Sequence, residues 1–323
     1  MKKTAIVILN YNNFEDTVNC IGSILKYNTA PCKFIIIDNG STRSGTVQKI
    51  DDFLKEKFGS RYQHYDYEEK RIPDVLPDVS LVVSKKNDGY ACGNNKGLEY
   101  AYRDNEVDKV LIINNDVLFI EDIIPQLARA IDDIDDCAVI SPLLLKKDGI
   151  SIDYNCARLA HSVWQVLMPY FFMYKDFAGV LTRRKRQLQI LRKNPVLTAK
   201  PKVHIELPSG SCMMIDKKLM KQVGGFDPHT FLYYEENILY KKFLKLGKKS
   251  YLIPKLKCIH LGASTTKKCA STFMLKVGID STRYYLENYC QLNFFQRIVM
   301  NVSYFNIKMK LKFIHIVGYF YRK

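Results

Sequence analysis

Blocks of apolar and polar residues alternate regularly along the first 140 positions of the chain. Runs of β-branched and aliphatic residues, typical of strands that are buried on both faces, occur at 4–9, 33–37, 81–84 and 110–113. Apolar residues at helical spacing lie between these runs, over 15–27, 46–58 and about 94–103. Because strands alternate with helices, the pattern predicts βαβ units and a mostly parallel sheet flanked by helices. The expected fold class is therefore α/β.

The second half of the chain is less regular. Periodicity weakens over 151–206, where aromatic residues give way to the basic run 183–186, and we expect this segment to be an insert that covers one side of a cleft. A helical pattern returns over 236–246. Two short strands are predicted after this helix, at 251–254 and 257–260.

The composition is that of a folded protein whose positive charge is concentrated in two places. Of the 323 residues, 47% are hydrophobic, which excludes a disordered chain. The net charge of +16 arises from residues 175–202 and 267–323, each of which carries +8. A local excess of this kind indicates a nucleic acid, an anionic membrane surface or a phosphate-bearing substrate as partner. We do not expect nucleic acid, because the basic residues accompany no known nucleic-acid-binding motif.

The basic tail, residues 267–323, also contains many Phe, Tyr, Ile and Met residues. This mixture favours peripheral attachment to the anionic headgroups of a membrane. A solvated helical face is the alternative that the sequence leaves open.

Cysteine usage and the lengths of the apolar runs bear on location. Nine cysteines without a CxxC pair are typical of reduced thiols in a cytosolic protein. The apolar run 5–9 is too short for a secretory signal, and no stretch reaches the roughly 20 residues that a spanning helix needs. We therefore expect a cytoplasmic protein that is at most peripheral on the inner face of the cell membrane.

Polar residues follow the predicted strands of the first half, in four pairs: Asn10 and Asn12, Asp38 and Asn39, Asn87 and Asp88, and Asn115 and Asp116. Asn and Asp are common after strands because they favour turns. Parallel sheets, however, bind their ligands beyond the carboxyl ends of the strands, where these four loops would meet. No GxGxxG motif follows the first strand, so a dinucleotide site is not expected.

Six short motifs occur in a fixed order: Val-Ile-Leu-Asn-Tyr-Asn (7–12), Ile-Asp-Asn-Gly-Ser-Thr (37–42), Asn-Asp-Gly-Tyr-Ala-Cys-Gly-Asn-Asn (87–95), Asn-Asn-Asp (114–116), Gly-Gly-Phe-Asp (224–227) and Tyr-Glu-Glu (234–236). Together they resemble the bacterial family 2 glycosyltransferases, especially those of rhamnosyl and related transfer in surface-polysaccharide synthesis. The resemblance implies a GT-A-like, Rossmann-like domain over 1–265. Its expected parts are a nucleotide-sugar half at 1–140, the insert at 151–206 and a catalytic half at 207–265, before a basic aromatic extension at 266–323.

The resemblance also implies which residues contact the nucleotide-sugar donor: Asn10, Tyr11, Asp38, Asn39, Asn87, Asp88, Gly89, Asn94 and Asn115. Asp38 would accept a hydrogen bond from a pyrimidine base, and Tyr11 would stack on that base unless it merely packs at the start of its loop. Gly89 would let the backbone approach the ligand closely. Asn94 would begin a helix whose first amides favour anions.

A divalent metal, Mg²⁺ or Mn²⁺, is implied by the resemblance of Asn114-Asn115-Asp116 to the family's Asp-x-Asp motif. Only Asp116 is a carboxylate, which is sufficient where substrate phosphates and waters complete the coordination. His260 resembles a late histidine that approaches the metal or the diphosphate, although a lone His is more often structural.

Glu235 and Glu236 stand where the family carries its catalytic acidic pair. Two adjacent carboxylates can be separated in pKa so that one serves as a general base, and by position Glu236 is that base with Glu235 as the alternative. A helix N-terminus also favours Glu for its charge alone. Ile238 replaces the second acid of the family's pattern, and Ser209 and Gly210 are expected on the acceptor side of the cleft.

The function expected from this resemblance is inverting transfer of a sugar from a UDP- or dTDP-sugar to a hydroxyl of a glycan or lipid-linked acceptor. Two alternatives remain. A sugar-1-phosphate nucleotidyltransferase would need a Gly-rich, basic loop after the first strand, and residues 10–13 do not supply one. A non-catalytic nucleotide-sugar-binding protein would need neither Asp116 nor the Glu pair. The sequence leaves the oligomeric state open.

Overall fold

The structure is a computed structural model that describes residues 2–171, 188–262 and 272–320. It contains twelve β-strands in these ranges. They are β1 (Lys3–Asn10), β2 (Cys32–Asn39), β3 (Tyr62–Asp66), β4 (Val79–Ser84), β5 (Val107–Asn114), β6 (Val117–Phe119), β7 (Cys137–Leu145), β8 (Ala157–Arg158), β9 (Val203–Ile205), β10 (Leu207–Pro208), β11 (Cys212–Asp216) and β12 (Lys249–His260).

The α-helices of the described residues flank these strands. They are α1 (Phe14–Tyr27), α2 (Thr46–Phe58), α3 (Gly89–Arg103), α4 (Ile124–Asp132), α5 (Val163–Phe171), α6 (Ile190–Lys193), α7 (Lys217–Gln222), α8 (Glu235–Leu244), α9 (Thr272–Tyr289) and α10 (Phe294–Phe320).

One large sheet has the strand order β3-β4-β2-β1-β5-β11-β7-β12-β6, and β9 pairs with β12 at its side. The five neighbouring strands β3, β4, β2, β1 and β5 run parallel to one another. Strand β11 runs antiparallel to β5 and β7, and β12 runs parallel to β7. The expected α/β class with a mostly parallel sheet is therefore confirmed. This topology brings the carboxyl ends of β1, β2, β5 and β12 and the amino end of β11 to the same edge.

The core is built on both faces of the sheet, as continuous apolar strands require. Ile6 and Ile8 of β1 face the cluster that includes α1 and α2, whereas Ala5 and Val7 face the cluster that includes α3. Helix α3 lies very close to the sheet, because a Cβ on Gly97 would come within 2.4 Å of a methyl group of Val7.

The C-terminal helices form a smaller third core with the insert. Val166 and Leu167 of α5 pack there against Leu286 of α9 and Val299 of α10. Over the described residues, we find no helix with the length and apolar character that crossing a membrane requires. The basic run 183–186 lies outside the described residues.

Several elements differ from the sequence prediction. Helix α3 begins at Gly89 and not near Asn94, and the two strands expected at 251–254 and 257–260 are one strand, β12, with an irregularity between Ile253 and Lys257. Residues 306–312 of the basic tail are helical and belong to α10.

Candidate active site

A cavity of about 390 Å³ opens at the edge of the sheet where the strand ends meet. Five residues that the sequence predicted for the donor site line it: Tyr11, Asn39, Asn87, Gly89 and Asn115. Further lining comes from Leu9, Tyr90, Asn114, Phe231, Leu232, Phe273 and Met274. The mixture of amide and aromatic groups suits a ligand with both polar edges and flat faces.

A buried polar network lies beneath this cavity. The side-chain amide of Asn10 donates to Asp38 at 2.7 Å, and its carbonyl oxygen accepts from Thr17 at 2.9 Å and from the amide of Asn115 at 3.2 Å. These hydrogen bonds hold the side chains of Asn10, Asp38 and Asn115 in fixed positions relative to one another. Asn10 is fully buried and supports the cavity from below.

Asp38, which the sequence predicted to contact the base, is also fully buried. One carboxylate oxygen accepts from the backbone N–H of Ser41 at 2.9 Å, and the other accepts from the Ser41 hydroxyl at 2.6 Å and from Asn10. These three hydrogen bonds from the protein hold Asp38 and the loop that follows β2 in place.

Asn39 and Asn87 form an amide pair on the cavity wall. The amide nitrogen of Asn39 donates to Oδ1 of Asn87 and to the carbonyl of Gly89, both at 3.0 Å. The carbonyl oxygen of Asn39 accepts from the ammonium group of Lys96 at 3.1 Å. These contacts fix the direction of both amides.

Lys96 is a buried cation that the sequence analysis missed. Its ammonium group donates to Ser84 at 2.6 Å and to Asp88 at 2.9 Å, besides Asn39. Burial acts to raise the pKa of Asp88, but the hydrogen bonds from Lys96 and Lys86 outweigh it and lower that pKa. No local pattern distinguishes Lys96 from a surface lysine, so only the fold reveals it. Asp88 is not among the described residues that line the cavity.

Gly89 begins α3 with a positive φ of 82°. A Cβ there would lie 2.0 Å from the carbonyl oxygen of Phe231, which accepts a hydrogen bond from the backbone N–H of Tyr90 at 2.8 Å. The absence of a side chain at Gly89 therefore lets the start of α3 contact the loop before α8. This contact is separate from the close approach to a ligand that the sequence predicted.

The prediction that Asn94 begins a helix was wrong. Asn94 lies in the second turn of α3 and is almost fully buried, and its amide donates to the carbonyl of Tyr90 at 3.0 Å. Its backbone N–H is therefore not at a helix N-terminus.

Glu235 and Glu236 begin α8, as expected, but they occupy different environments. Glu235 is 4% exposed, and its burial, assisted by the charge of Glu236, raises its pKa from 4.5 to about 8. The side chain of Glu236 is 20% exposed and accepts a hydrogen bond from the backbone N–H of Gly210 at 3.0 Å. At neutral pH Glu235 is therefore mainly protonated, and Glu236 is the carboxylate that solvent can reach.

Gly210 joins Glu236 to the cavity. Its carbonyl accepts from the hydroxyl of Tyr90, a cavity residue, at 2.7 Å. A Cβ on Gly210 would lie 2.9 Å from both Glu236 and Tyr90. Arg158 of β8, which the sequence analysis also missed, lies 3.7 Å from Glu236. Ser209 and Gly210 thus stand beside the accessible glutamate, with the Ser209 hydroxyl 3.0 Å from that of Ser211.

Asp116 and His260 lie together at the same edge of the sheet. Nε2 of His260 is 3.6 Å from Oδ2 of Asp116 and 3.2 Å from the Ser211 hydroxyl. Nδ1 is 3.2 Å from Oδ2 of Asp153. Burial disfavours the charged ring, but the nearby carboxylate of Asp116 and the hydrogen-bonded carboxylate of Asp153 raise the pKa of His260 to about 9.

The residues present fit part of a metal site. In the described ranges, no group of three or more His, Cys, Asp and Glu side chains is arranged to hold a metal ion by itself. Asp116 supplies an oxygen of the kind that Mg²⁺ and Mn²⁺ prefer. His260 has its far nitrogen held by Asp153, an arrangement common for metal-ligating histidines.

The loop before α8 is held by the C-terminal extension. Tyr233 and Tyr234 have positive φ angles of 79° and 72°, which non-glycine residues rarely adopt. The ring of Tyr234 stacks on Tyr285 of α9 at 5.0 Å, and Ser281 donates to the carbonyl of Leu232 at 2.8 Å.

Helix α9 also binds the Gly-Gly-Phe-Asp motif and lines the cavity. The hydroxyls of Tyr284 and Tyr289 both donate hydrogen bonds to the carboxylate of Asp227, and the bond from Tyr284 is 3.0 Å long. Phe273, beside the cavity residue Met274, packs edge-on against Phe231 at 5.6 Å. No motif in the sequence indicates this role, because the extension lies far along the chain from the six motifs.

Solved glycosyltransferases share this fold. GalNAc-T7, crystallised with UDP, GalNAc and Mn²⁺, superposes with a TM-score of 0.58 at 13% identity over 88% of this chain and 47% of its own. The mannosyltransferase PcManGT from Pyrobaculum calidifontis, in complex with GDP-Man and Mn²⁺, gives 0.51 at 12% identity over 93% and 72%. The expected GT-A-like architecture is therefore confirmed.

Two curated relatives are 25% identical to this chain. The low-salt glycan biosynthesis hexosyltransferase Agl10 of Haloferax volcanii aligns over 232 residues, 72% of this chain but only 58% of that protein. The N-acetylglucosaminyl-diphospho-decaprenol L-rhamnosyltransferase of Mycobacterium tuberculosis aligns over 280 residues, 81% of this chain and 76% of that protein.

The match to a family model covers the cavity residues from β1 to β11. The model described as glycosyl transferase family 2 matches residues 5–224, which is more than half of the chain. The matched region contains Tyr11, Asn39, Asn87 and Asp116, all at the sheet edge described above. On this evidence the chain belongs to glycosyl transferase family 2.

Proposed function

We propose that this protein is a glycosyltransferase that moves one sugar from a nucleotide-diphosphate donor to a hydroxyl of a glycan or lipid-linked acceptor. The observation that carries the proposal is the position of Glu236. It is the accessible carboxylate of its pair, and Gly210 and Tyr90 connect it to the cavity. A cavity for the donor and a base beside it are the two parts that such a transfer requires.

The donor would bind in the cavity through its nucleotide. Tyr11 offers a ring face for a base, and the amide nitrogen of Asn87, whose oxygen already accepts from Asn39 and from the backbone N–H of Gly89, offers a donor to the edge of that base. Asn10 and Asp38 would act as positioning residues beneath. We infer a UDP- or dTDP-sugar, since a carbonyl oxygen of a uracil or thymine base could accept a hydrogen bond from the amide nitrogen of Asn87.

A divalent cation, Mg²⁺ or Mn²⁺, would be held by Asp116 and His260, and the His260 ring would lose the proton on Nε2 when the cation binds. When bound it would offset the negative charge of the departing diphosphate. Asp153 would orient the imidazole through Nδ1. The two solved relatives with Mn²⁺ support the choice of a divalent metal.

Glu236 would serve as the general base. It would accept the proton of the acceptor hydroxyl while that oxygen bonds to the anomeric carbon, and the bond from this carbon to the diphosphate oxygen would break with its electron pair leaving on the diphosphate. Displacement on the opposite face inverts the anomeric centre. Glu235, whose pKa is raised by burial, lies behind it, so Glu236 is the member of the pair that the acceptor could reach.

We infer that the acceptor is part of surface-polysaccharide or related glycan synthesis at the cytoplasmic face of the cell membrane. The relative from Mycobacterium tuberculosis, whose name includes a decaprenol-linked sugar, supports a lipid-linked acceptor.

The experiment is to incubate the purified protein with UDP-, dTDP- and GDP-sugars, with and without Mn²⁺, and to measure release of nucleoside diphosphate. We expect release from at least one donor, and the same donor should raise the melting temperature by mass action. Thermal stabilisation without any turnover, with glycan or lipid-linked acceptors supplied, would indicate a binding protein. Pyrophosphate formation from a nucleoside triphosphate and a sugar-1-phosphate would instead indicate a nucleotidyltransferase.

A further inference from the structure

Helix α10 has one face that packs on the protein. Val299, Met300, Ser303 and Ile307 of this face are buried. Val299 and Met300 belong to the small core shared with α5 and α9. The helix is therefore fixed to the body of the protein along this side.

A second apolar face of α10 is open to solvent. We call it the α10 stripe; its members are between 42% and 81% exposed, and they are Phe294, Phe295, Ile298, Val302, Phe305 and Met309. At about 100° of rotation per residue, all six fall within one sector of about 100°. Trp164 of α5, 38% exposed, extends it beside Phe295 with the rings 6.0 Å apart. Soluble monomers rarely leave such a contiguous apolar surface uncovered.

The charge of α10 is entirely positive. Its 27 residues include four Lys or Arg residues and no Asp or Glu. At the same 100° of rotation per residue, Arg297 and Lys308 both lie just outside one border of the α10 stripe, and both are exposed. An apolar stripe bordered by cations is the pattern of helices that lie in the plane of an anionic membrane surface.

We propose that the α10 stripe inserts into the headgroup boundary of an anionic lipid bilayer, with α10 parallel to the membrane plane. Burial of the aromatic residues supplies the apolar part of the binding free energy, and Arg297 and Lys308 meet the lipid phosphates. A second copy of this chain fits the surface less well. Two such helices packed stripe to stripe would bring like charges together with no acid on either helix to neutralise them.

The same extension contributes to the site, since α9 lines the cavity through Phe273 and Met274 and binds α10 through the hydrogen bond from Tyr304 to Asp280 at 3.1 Å. If the proposed function is right, a membrane held by α10 would keep a lipid-linked acceptor near the cavity. The attachment itself rests on the stripe alone and can be tested without donor or acceptor.

The test is co-sedimentation of the full chain with vesicles of phosphatidylcholine alone and of phosphatidylcholine with phosphatidylglycerol. We expect binding to the anionic vesicles that weakens as salt is raised. The double variant Phe294→Glu/Phe305→Glu should bind at least about tenfold more weakly, because two exposed aromatic side chains no longer enter the bilayer. Arg297→Gln/Lys308→Gln should bind about tenfold or more weakly and lose part of the salt dependence.

The matched control is Val75→Glu/Ile150→Glu, which places the same charges on two other exposed apolar residues, 63% and 83% exposed. It should bind like the unchanged protein. Circular dichroism and nucleotide-sugar affinity should be the same for all variants, which separates this result from a failure of the glycosyltransferase proposal. Absence of binding to anionic vesicles at low salt, or equal binding by Phe294→Glu/Phe305→Glu, would overturn the proposal. So would a dimer that this variant dissociates while vesicle binding persists.

Discussion

Replacing Glu236 with Gln separates a catalytic carboxylate from a structural one. Gln keeps an oxygen that can accept the backbone N–H of Gly210, so the 3.0 Å hydrogen bond can persist and the fold should be retained. The amide cannot take a proton from the acceptor hydroxyl. General base catalysis is worth about 10²–10⁴-fold in rate, so kcat should fall by about that factor, or about 3–5 kcal/mol of transition-state stabilisation.

The assay is steady-state release of nucleoside diphosphate at saturating acceptor, with donor affinity measured separately by calorimetry. Donor affinity should stay within about twofold, because the lost interaction is made only in the transition state. Glu235→Gln is the control: since Glu235 is mainly protonated at neutral pH, its replacement should lower kcat far less. A larger loss in Glu235→Gln, or near-normal turnover in both variants, would refute the assignment. Loss of donor binding in Glu236→Gln would indicate a donor-contacting role instead.

Three further predictions follow from the same geometry. Because the folded-state pKa of Glu235 is raised from 4.5 to about 8, the folded state binds more protons than the unfolded state, and stability falls as pH rises through that window. Glu235→Gln should therefore gain up to about 3 kcal/mol of unfolding free energy at pH 7 and little at pH 4.5, measured by urea denaturation at both pH values. Asp116→Asn should weaken Mn²⁺-dependent donor binding by more than about tenfold, in addition to lowering the melting temperature without metal because His260 loses a neighbouring carboxylate, and unchanged calorimetric affinity would contradict the metal role. Gly89→Ala should destabilise by about 2–5 kcal/mol through its clash with the Phe231 carbonyl, whereas Gly22→Ala, whose Cβ meets nothing within 4 Å, should be neutral or stabilising.

The strands of the first half could be predicted because their sequences meet a strict requirement. A strand covered on both faces needs apolar residues at consecutive positions, and Ala5, Ile6, Val7 and Ile8 satisfy it with no exposed surface. The polar residues after each strand then had to lie at one edge, and Tyr11, Asn39, Asn87 and Asn115 do line a common cavity.

Contacts between distant segments could not be predicted in the same way. The start of α3 at Gly89 depends on the carbonyl of Phe231, and the burial of Asp38 depends on Asn10 and Ser41. Lys96 has no local signature. The assignments of catalytic, donor and acceptor residues, and the division of the chain at 265, remain predictions that the proposed experiments address.

The hydrogen bonds from Tyr284 and Tyr289 to Asp227, and the stacking of Tyr285 on Tyr234, have a consequence for how such enzymes diversify. An extension that merely followed the domain could be exchanged between relatives as a module. Here an exchange would also replace Phe273 in the wall of the cavity and remove the support of the loop that carries the glutamate pair. We therefore expect chimeras that take α9 from one relative and the sheet from another to change acceptor preference and turnover together.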